Sequence, residues 1–525
     1  MKKNFLSLIA LMLIVTGLNA QTTFQRKLYT ATSLINNANI ITANGNEYLI
    51  TGELGSTGNA IVVALLDASG ITKWSKYFIN NNYNFSVIDA VQTKDSGFVI
   101  SCQTYDQIVG VLKVNKLGNL LWSEIISDDS LSFAGYYLNP GGDGSVLISG
   151  SSSNTSRSPA FLMKLNDADG SLQWAQTFSG IGGNKKYSDG SIEDVTIDNN
   201  GNYLVTGSWE YFDSSITSKT AGFIAKFSST GNYGGSRFYS TGASLSSVIK
   251  ADADNYIFAG GVPGITLYLK ANDKGNIVWA KQIVNADATH ISNVAAGTNN
   301  TYTFLGENFF ANINNDGSLN WFKKPKHYTK LNFTGLAKTP DGGYASVSKK
   351  FLSHTDSAFI IKVDGNGNTC NGVTSKIYVT QNVQIPSAPI TGAATRITSQ
   401  VKITPGGFKS SDKPFFNTRF CSDQAGSVVS KTNTDDVNGN NLSVFVSPNP
   451  VKTMLNWQVK NVQSAQINIT ITITNVQGNI FYEQKFTTIN NTQHNSINIS
   501  SLTPDIYILK ITDGKQQKFV KFIKE

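Results

Sequence analysis

The chain has 525 residues, of which only 15% are charged, and a formal net charge of +8 at pH 7. That length allows two or three domains. The basic residues are scattered, with no run longer than pairs such as Lys323-Lys324 and Lys349-Lys350, which excludes an electrostatic footprint for nucleic acid.

The N-terminus reads as a secretory signal over residues 1–20. Lys2 and Lys3 precede an apolar run from Phe5 to Leu18, and Ala20 before Gln21 is the expected cleavage point. No Cys follows the cut, so no lipoprotein anchor is expected. Later segments never approach eighteen uninterrupted apolar residues, so no transmembrane segment is expected in the mature chain.

Residues 21–372 repeat one pattern at a spacing of about fifty residues. A short strand leads to an Asp/Asn-Gly turn, then an aromatic-led strand ending in Ser/Thr-Gly. An apolar strand, Asp/Asn-x-x-Gly-Asn and a Trp follow. The cleanest copy runs Asp95-Ser96-Gly97-Phe98-Val99-Ile100-Ser101, then Val109 to Val114, Asn115-Lys116-Leu117-Gly118-Asn119 and Leu120-Leu121-Trp122. The repeat Trp recurs as Trp74, Trp122, Trp174, Trp279 and Trp321, with Tyr233 near that position in copy four and Cys370 in copy seven. Each copy supplies strands without helical period, and one such unit cannot bury both faces. Repetition at this period predicts β-propeller blades, about seven of them. The Trp, placed at the end of the third strand, is expected to wedge between blades.

Little in these copies points to catalysis. His290, His327, His354 and His494 lack metal-ligand spacing, no nucleophile elbow or phosphate loop is present, and no cofactor, metal or catalytic residue is assigned. Asn166 to Gly170 and Asp364 to Asn368 read as hairpin turns rather than calcium loops, which need more oxygens and a distal acid. Asp128-Asp129 and Glu193-Asp194 read as solvated loop acids. Trp209, Tyr211 and Phe212 precede the insertion Asp213 to Lys219, and two readings stay open for them. They stack on sugar rings, or Trp209 caps a neighbouring blade.

Residues 373–422 break the repeat and suggest two or more extra strands packed on the last blade. Cys102 sits in an apolar strand and reads as a small buried hydrophobe. Cys370 and Cys421 flank the extra strands and form the expected disulfide, worth roughly 4 kcal/mol in the chain-entropy model. Residues 423–444 are rich in Ser, Asn, Asp and Gly and read as a linker. Residues 445–525 then alternate through six or seven short strands, which implies a small antiparallel Ig-like sandwich.

That last segment opens with Ser447-Pro448-Asn449-Pro450, continues through Asn475-Val476-Gln477-Gly478-Asn479 and Leu502-Thr503-Pro504-Asp505-Ile506-Tyr507, and ends in the basic strand Lys518 to Glu525. It resembles the type A C-terminal sorting domain of the bacterial type IX secretion system, the Por secretion tail family. The matching positions are Pro448, Asn449, Pro450, Gly478, Leu502, Tyr507 and Lys521. Asp505 departs from the family's usual Gly. The repeat resembles the propeller modules found in front of such domains. The resemblance implies export through the periplasm to the outer surface or medium, with the type IX secretion machinery as a partner. The expected function is binding or adhesion, with the propeller presenting a face to a polysaccharide or surface protein. A glycan-active hydrolase or lyase and a structural surface component are the alternatives.

Overall fold

The computed structural model describes residues 23–30, 35–43, 46–54, 60–154, 158–182, 185–212, 218–240, 242–262, 265–283, 290–326, 331–350, 358–375, 378, 380–412, 415–419, 443–447, 451–460, 467–475, 479–488, 492–512 and 517–525. The chain divides into two compact parts, residues 1–425 and 426–525. The signal segment 1–20, Cys421 and nearly all of the expected linker lie outside the described residues. No helix among them is long and apolar enough to cross a membrane.

In the first part the described strands pair into seven four-stranded antiparallel units. Their opening strands are Ile35–Ala43, Ser86–Gln92, Ser132–Pro140, Lys185–Ile197, Ser244–Lys250, Ile291–Ala296 and Leu331–Lys338. Each opening strand packs on that of the next unit, and the seventh packs on the first, so the ring closes as a β-propeller. Unit 7 draws three strands from Leu331–Lys338, Tyr344–Lys350 and Ala358–Val363. Its fourth is the N-terminal strand Phe24–Thr30, paired Phe24 to Lys362. Cys370 is therefore not the seventh counterpart of the repeat Trp. Phe24 is, because it stands opposite Lys362 as Trp122 stands opposite Lys113.

The apolar core lies between the units. Middle strands such as Ile61–Leu66 and Val109–Val114 are buried along their whole length, so both faces of each sheet are covered. Between units 1 and 2 the packed side chains include Leu49, Val63, Phe78, Phe98, Ile100 and Leu112. Comparable clusters fill the other six boundaries, including the one joining unit 7 to unit 1.

One contact recurs at every boundary. The repeat Trp lies on the fourth strand of its unit, not the third, and its ring covers the turn glycine of the next unit. A Cβ on Gly118 would stand 2.7 Å from the Trp74 ring, and one on Gly231 2.8 Å from Trp174. Trp122 on Gly170, Trp279 on Gly317 and Trp321 on Gly367 repeat the contact, and Phe24 on Gly70 closes it. These glycines hold φ between +73° and +83°, so no other residue fits both the turn and the ring. The indole N–H fastens the contact, donating from Trp122 to the Asp167 carbonyl at 3.0 Å and from Trp174 to the Ser229 carbonyl at 3.1 Å. In unit 4 the equivalent residue is Gly235, opposite Lys226, and Tyr239 substitutes from four positions on. Its hydroxyl donates to the Gly275 carbonyl at 2.5 Å.

The segment after unit 7 departs from expectation. Its strands do not stack on the last blade alone. They run back around the outside of the ring, adding a fifth strand to every unit. Val373–Ser375 joins unit 6, Thr380–Asn382 unit 5, Ser387–Arg396 units 4 and 3, Lys402–Pro405 unit 2, Lys409–Asp412 unit 1, and Phe415–Arg419 unit 7. The physical reason is the occupied fourth place of unit 7. With Phe24–Thr30 already there, the chain is left outside a ring of unpaired strand edges, and pairing satisfies them. Where its side chains are described the belt is mostly exposed, and it drops apolar anchors into several boundaries. Tyr378 meets Phe322 with ring centroids 4.3 Å apart, and Phe408 meets Phe85 at 5.1 Å. Ile397 and Val401 fill the boundary of units 2 and 3. Lys402 also pairs with Asp129 at 2.5 Å.

The second part is a sandwich of two antiparallel sheets. One holds Ser443–Ser447, Met454–Lys460 and Thr492–Asn498, and the other Ile467–Asn475, Ile480–Thr488, Asp505–Thr512 and Gln517–Lys524. Trp457, Ile469, Ile471, Leu509 and Phe522 are among the residues of its core.

Trp174 is 4% exposed. Replacing it by Ala is expected to destabilise the first part by about 3–5 kcal/mol, read as a lowered denaturant midpoint at unchanged slope. A change below about 1 kcal/mol would contradict the boundary role given to the ring.

Candidate functional site: the central channel

All seven opening strands slip register by a bulge at the same height, between Asn36/Asn39, Val87/Asp89, Ala134/Tyr137, Ile192/Asp194, Leu245/Ser247, Ile291/Asn293 and Thr334/Leu336. A bulge leaves one residue out of the ladder and re-aims its side chain. Here the bulged residues Ile88, Glu193, Ser246, Ser292 and Gly335 all line a cavity of about 1010 Å³ bounded by the opening strands. Its polar sector, carried by units 3 to 6, includes Tyr137, Asn139, Glu193, Ser246, His290 and Asn293.

Side chains at or close to most of these bulges reach toward a neighbouring unit. Asn39 Nδ2 donates to Asp89 Oδ1 at 2.7 Å, and Asp89 Oδ2 accepts the Leu138 N–H at 2.9 Å. Asn139 Nδ2 donates to Asp194 Oδ1 at 3.0 Å. Asp194 Oδ2 accepts from the Ser247 hydroxyl and the Val248 N–H, both at 2.8 Å. Ser247 in turn accepts the Val294 N–H at 3.2 Å. Thr334 closes the circuit by donating to the Ala38 carbonyl at 2.6 Å. Asn293 occupies the equivalent place in unit 6, yet its side chain has no hydrogen-bond partner among the described residues.

These bonds decide what the carboxylates can do. Burial pushes Asp89 up to about 7, against the pull of the Leu138 and Ala90 N–H groups and the Asn39 amide. Burial likewise raises Asp194, against Val248, Ser247, Asn139 and Val195. A raised carboxyl suits a general acid. Both oxygens of both groups, however, already accept from neighbouring units, with four donors on Asp194 and three on Asp89, so both carboxylates are engaged in joining units. Tyr137 is pushed upward by burial and by the charges of Glu193, Asp89 and Asp194. Glu193 accepts from the Ser208 hydroxyl at 2.7 Å.

Several sequence expectations change here. Glu193 and Asp194 are not solvated loop acids. They sit on an innermost strand facing the cavity, because the donors that hold Asp194 come from a strand fifty residues later. Asp89 carried no signal at all in the sequence. Trp209 and Tyr211 are 2% and 6% exposed, packed on Phe178 and Phe238, so they offer no ring to a ligand. The Phe212 side chain lies outside the described residues. His290 is hydrogen-bonded within the channel, while His327 and His354 and the His494 side chain lie outside the described residues. Among the described residues no group of three or more His, Cys, Asp or Glu is placed to hold a metal ion.

In the second part, Tyr507 is buried, donates to the Thr503 carbonyl at 3.0 Å and stacks on Phe522. Leu502 packs against the same core, and Lys521 is exposed. Pro448, Asn449, Pro450 and Gly478 lie outside the described residues.

Residues 443–525 match the family described as a secretion system C-terminal sorting domain. The chain thus carries a type IX export address, and its destination is the cell surface or the medium. No curated protein matches the sequence. The fold is similar to that of Penicillium chrysogenum alpha-L-arabinanase complexed with arabinobiose, at 11% identity and TM-score 0.40, over 65% of this chain and 98% of that one. It is also similar to polysaccharide lyase Uly1, at 7% identity and TM-score 0.33, over 65% and 99% of the two chains. A third likeness is to the Vanderwaltozyma polyspora Nup133 β-propeller domain, at 11% identity and TM-score 0.34, over 66% and 99%. Similarity this distant says nothing of activity.

Asp194→Asn sets an amide N–H₂ against at least one of the four donors around it. An unsatisfied buried donor costs about 1–3 kcal/mol. The urea midpoint should fall accordingly, and an unchanged midpoint would show that the carboxylate does not hold units 4 and 5 together.

Proposed function

We propose that this chain is a seven-bladed propeller exported as a binding protein, and that its central channel receives a polysaccharide. The observation that carries the reading is the channel itself. A cavity of about 1010 Å³ presents amide, hydroxyl and phenol groups while its two half-buried aspartates are engaged in joining units. Hydroxyl-rich ligands suit such walls, because each sugar hydroxyl both donates and accepts. Tyr137 adds a ring face. A concave site fits a chain end better than a folded surface protein, which favours the saccharide over the other partner expected from the sequence. The committed aspartates weigh against a glycosidase acid pair, which needs one free acid and one free base.

We further propose a Cys370–Cys421 bridge closing the belt. Gln25 donates to Thr369 at 2.9 Å and accepts from Asn371 at 2.6 Å, the two neighbours of Cys370. Arg419, two residues before Cys421, stands opposite Arg26 on the same N-terminal strand. Cleavage of residues 1–20 belongs to the same proposal. So does recognition of residues 443–525 by the secretion machinery.

Two measurements test these readings. The full-length secreted protein should bind a polysaccharide on an array saturably, and Tyr137→Ala should weaken binding at least about tenfold, or ~1.4 kcal/mol. Equal binding by the variant would move the ligand away from the channel. Deletion of residues 443–525 should leave the protein in the periplasm, and its appearance outside the cell would overturn the sorting assignment.

A further inference from the structure

Ser246 is the bulged residue of unit 5, 8% exposed and facing the channel. Its Oγ lies 3.1 Å from Nε2 of His290, which enters the same cavity from the start of unit 6. The other ring nitrogen, Nδ1, is 3.2 Å from the Gly261 carbonyl oxygen. A carbonyl only accepts, so Nδ1 carries the ring proton. That leaves Nε2 as acceptor and the Ser246 hydroxyl as its donor. The hydroxyl is thereby aimed, and the imidazole is held in the tautomer a general base requires, with a main-chain carbonyl as its orienting partner. Ser244 Oγ, 3.1 Å from Ser246 Oγ and 3.2 Å from the Gly261 carbonyl, completes the polar surroundings.

The third component is the amide of Asn293. It lines the same cavity, and its side chain has no hydrogen-bond partner among the described residues. The contact of Ser247 with Val294 sets it beside the Ser246 bulge across the boundary of units 5 and 6.

We propose that Ser246, His290 and Asn293 form an acyl-transfer centre, with carboxylic esters as the substrate class. Ser246 Oγ attacks the ester carbonyl carbon as its proton passes to His290 Nε2. The carbon–oxygen bond to the alcohol breaks, and the leaving oxygen takes that proton. Asn293 donates to the carbonyl oxygen while it carries negative charge. Water, deprotonated by the same Nε2, then attacks the acyl-serine and releases the acid and the free Ser246 hydroxyl. The balance is ester and water to acid and alcohol, with no other reactant. Within the polysaccharide reading, on which the inference rests for its natural substrate, the ester is an acyl group carried on a sugar hydroxyl.

The test treats the full-length secreted protein with a fluorophosphonate probe and maps the modified residue by mass spectrometry. Turnover of p-nitrophenyl acetate is followed alongside. Modification concentrated at Ser246 is expected. Turnover should fall by about 10²–10⁴-fold in Ser246→Ala and His290→Gln, and by about 10²-fold in Asn293→Ala. A structural hydrogen bond alone would not concentrate a covalent probe on one serine. A map with no enrichment at Ser246 overturns the centre, and it decides the matter even where a variant fails to fold. Polysaccharide binding without labelling removes this inference alone, and labelling without polysaccharide binding removes the polysaccharide alone.

Discussion

Each boundary between units depends on an aromatic ring laid over the turn of its neighbour. A sheet of four short strands has two apolar faces and cannot stand alone in water. Covering both faces of every sheet requires a closed circle, and a circle fails at its weakest junction. That junction is where the chain ends meet. Here the N-terminal strand enters between Ala358–Val363 and Phe415–Arg419, so unit 7 is built from three distant pieces of chain. Phe24 supplies the ring contact on Gly70 that six other residues supply elsewhere. The belt then covers the outer edges that closure leaves unpaired.

Closure also makes the channel. Seven opening strands converge on one axis, and the bulge shared by all of them turns one residue per unit inward. Next to each bulge, several polar side chains are spent on joining units, as Asp194 joins unit 4 to unit 5. Where that duty lapses, polar groups remain for other work. Asn293 has no neighbouring-unit partner among the described residues, and Ser246 and His290 bond to each other across a boundary. The chemistry available to a ligand is thus the remainder after the ring has been tied.

Much of the architecture was legible in the sequence because it rests on local chemistry. A turn such as Asn115 to Asn119 needs its positive-φ glycine, and Trp122 recurs at a fixed distance from it, so the period shows. The sandwich was equally plain, since Ile467–Asn475 alternates strictly between Ile and polar residues. The course of the belt was hidden because all but one of its strands are only three to five residues long, with single anchors such as Tyr378 and Phe408 in place of a pattern. The origin of the seventh fourth strand was hidden because Phe24 and Lys362 are remote in sequence. The site was the least legible part. A bulge is a slip in register with no residue signature, and Asp194 looks like a loop acid until its donors, the Val248 N–H and the Ser247 hydroxyl, are brought beside it by closure.

Strand-resolved hydrogen–deuterium exchange on the full chain tests ring closure most directly. Amides of Phe24–Thr30 should be protected as strongly as those of the middle strand Ala358–Val363, and the seven units should open together in one cooperative event. Fast exchange confined to Phe24–Thr30 and unit 7, with units 1 to 6 still protected, would contradict the claim that the fold depends on that junction.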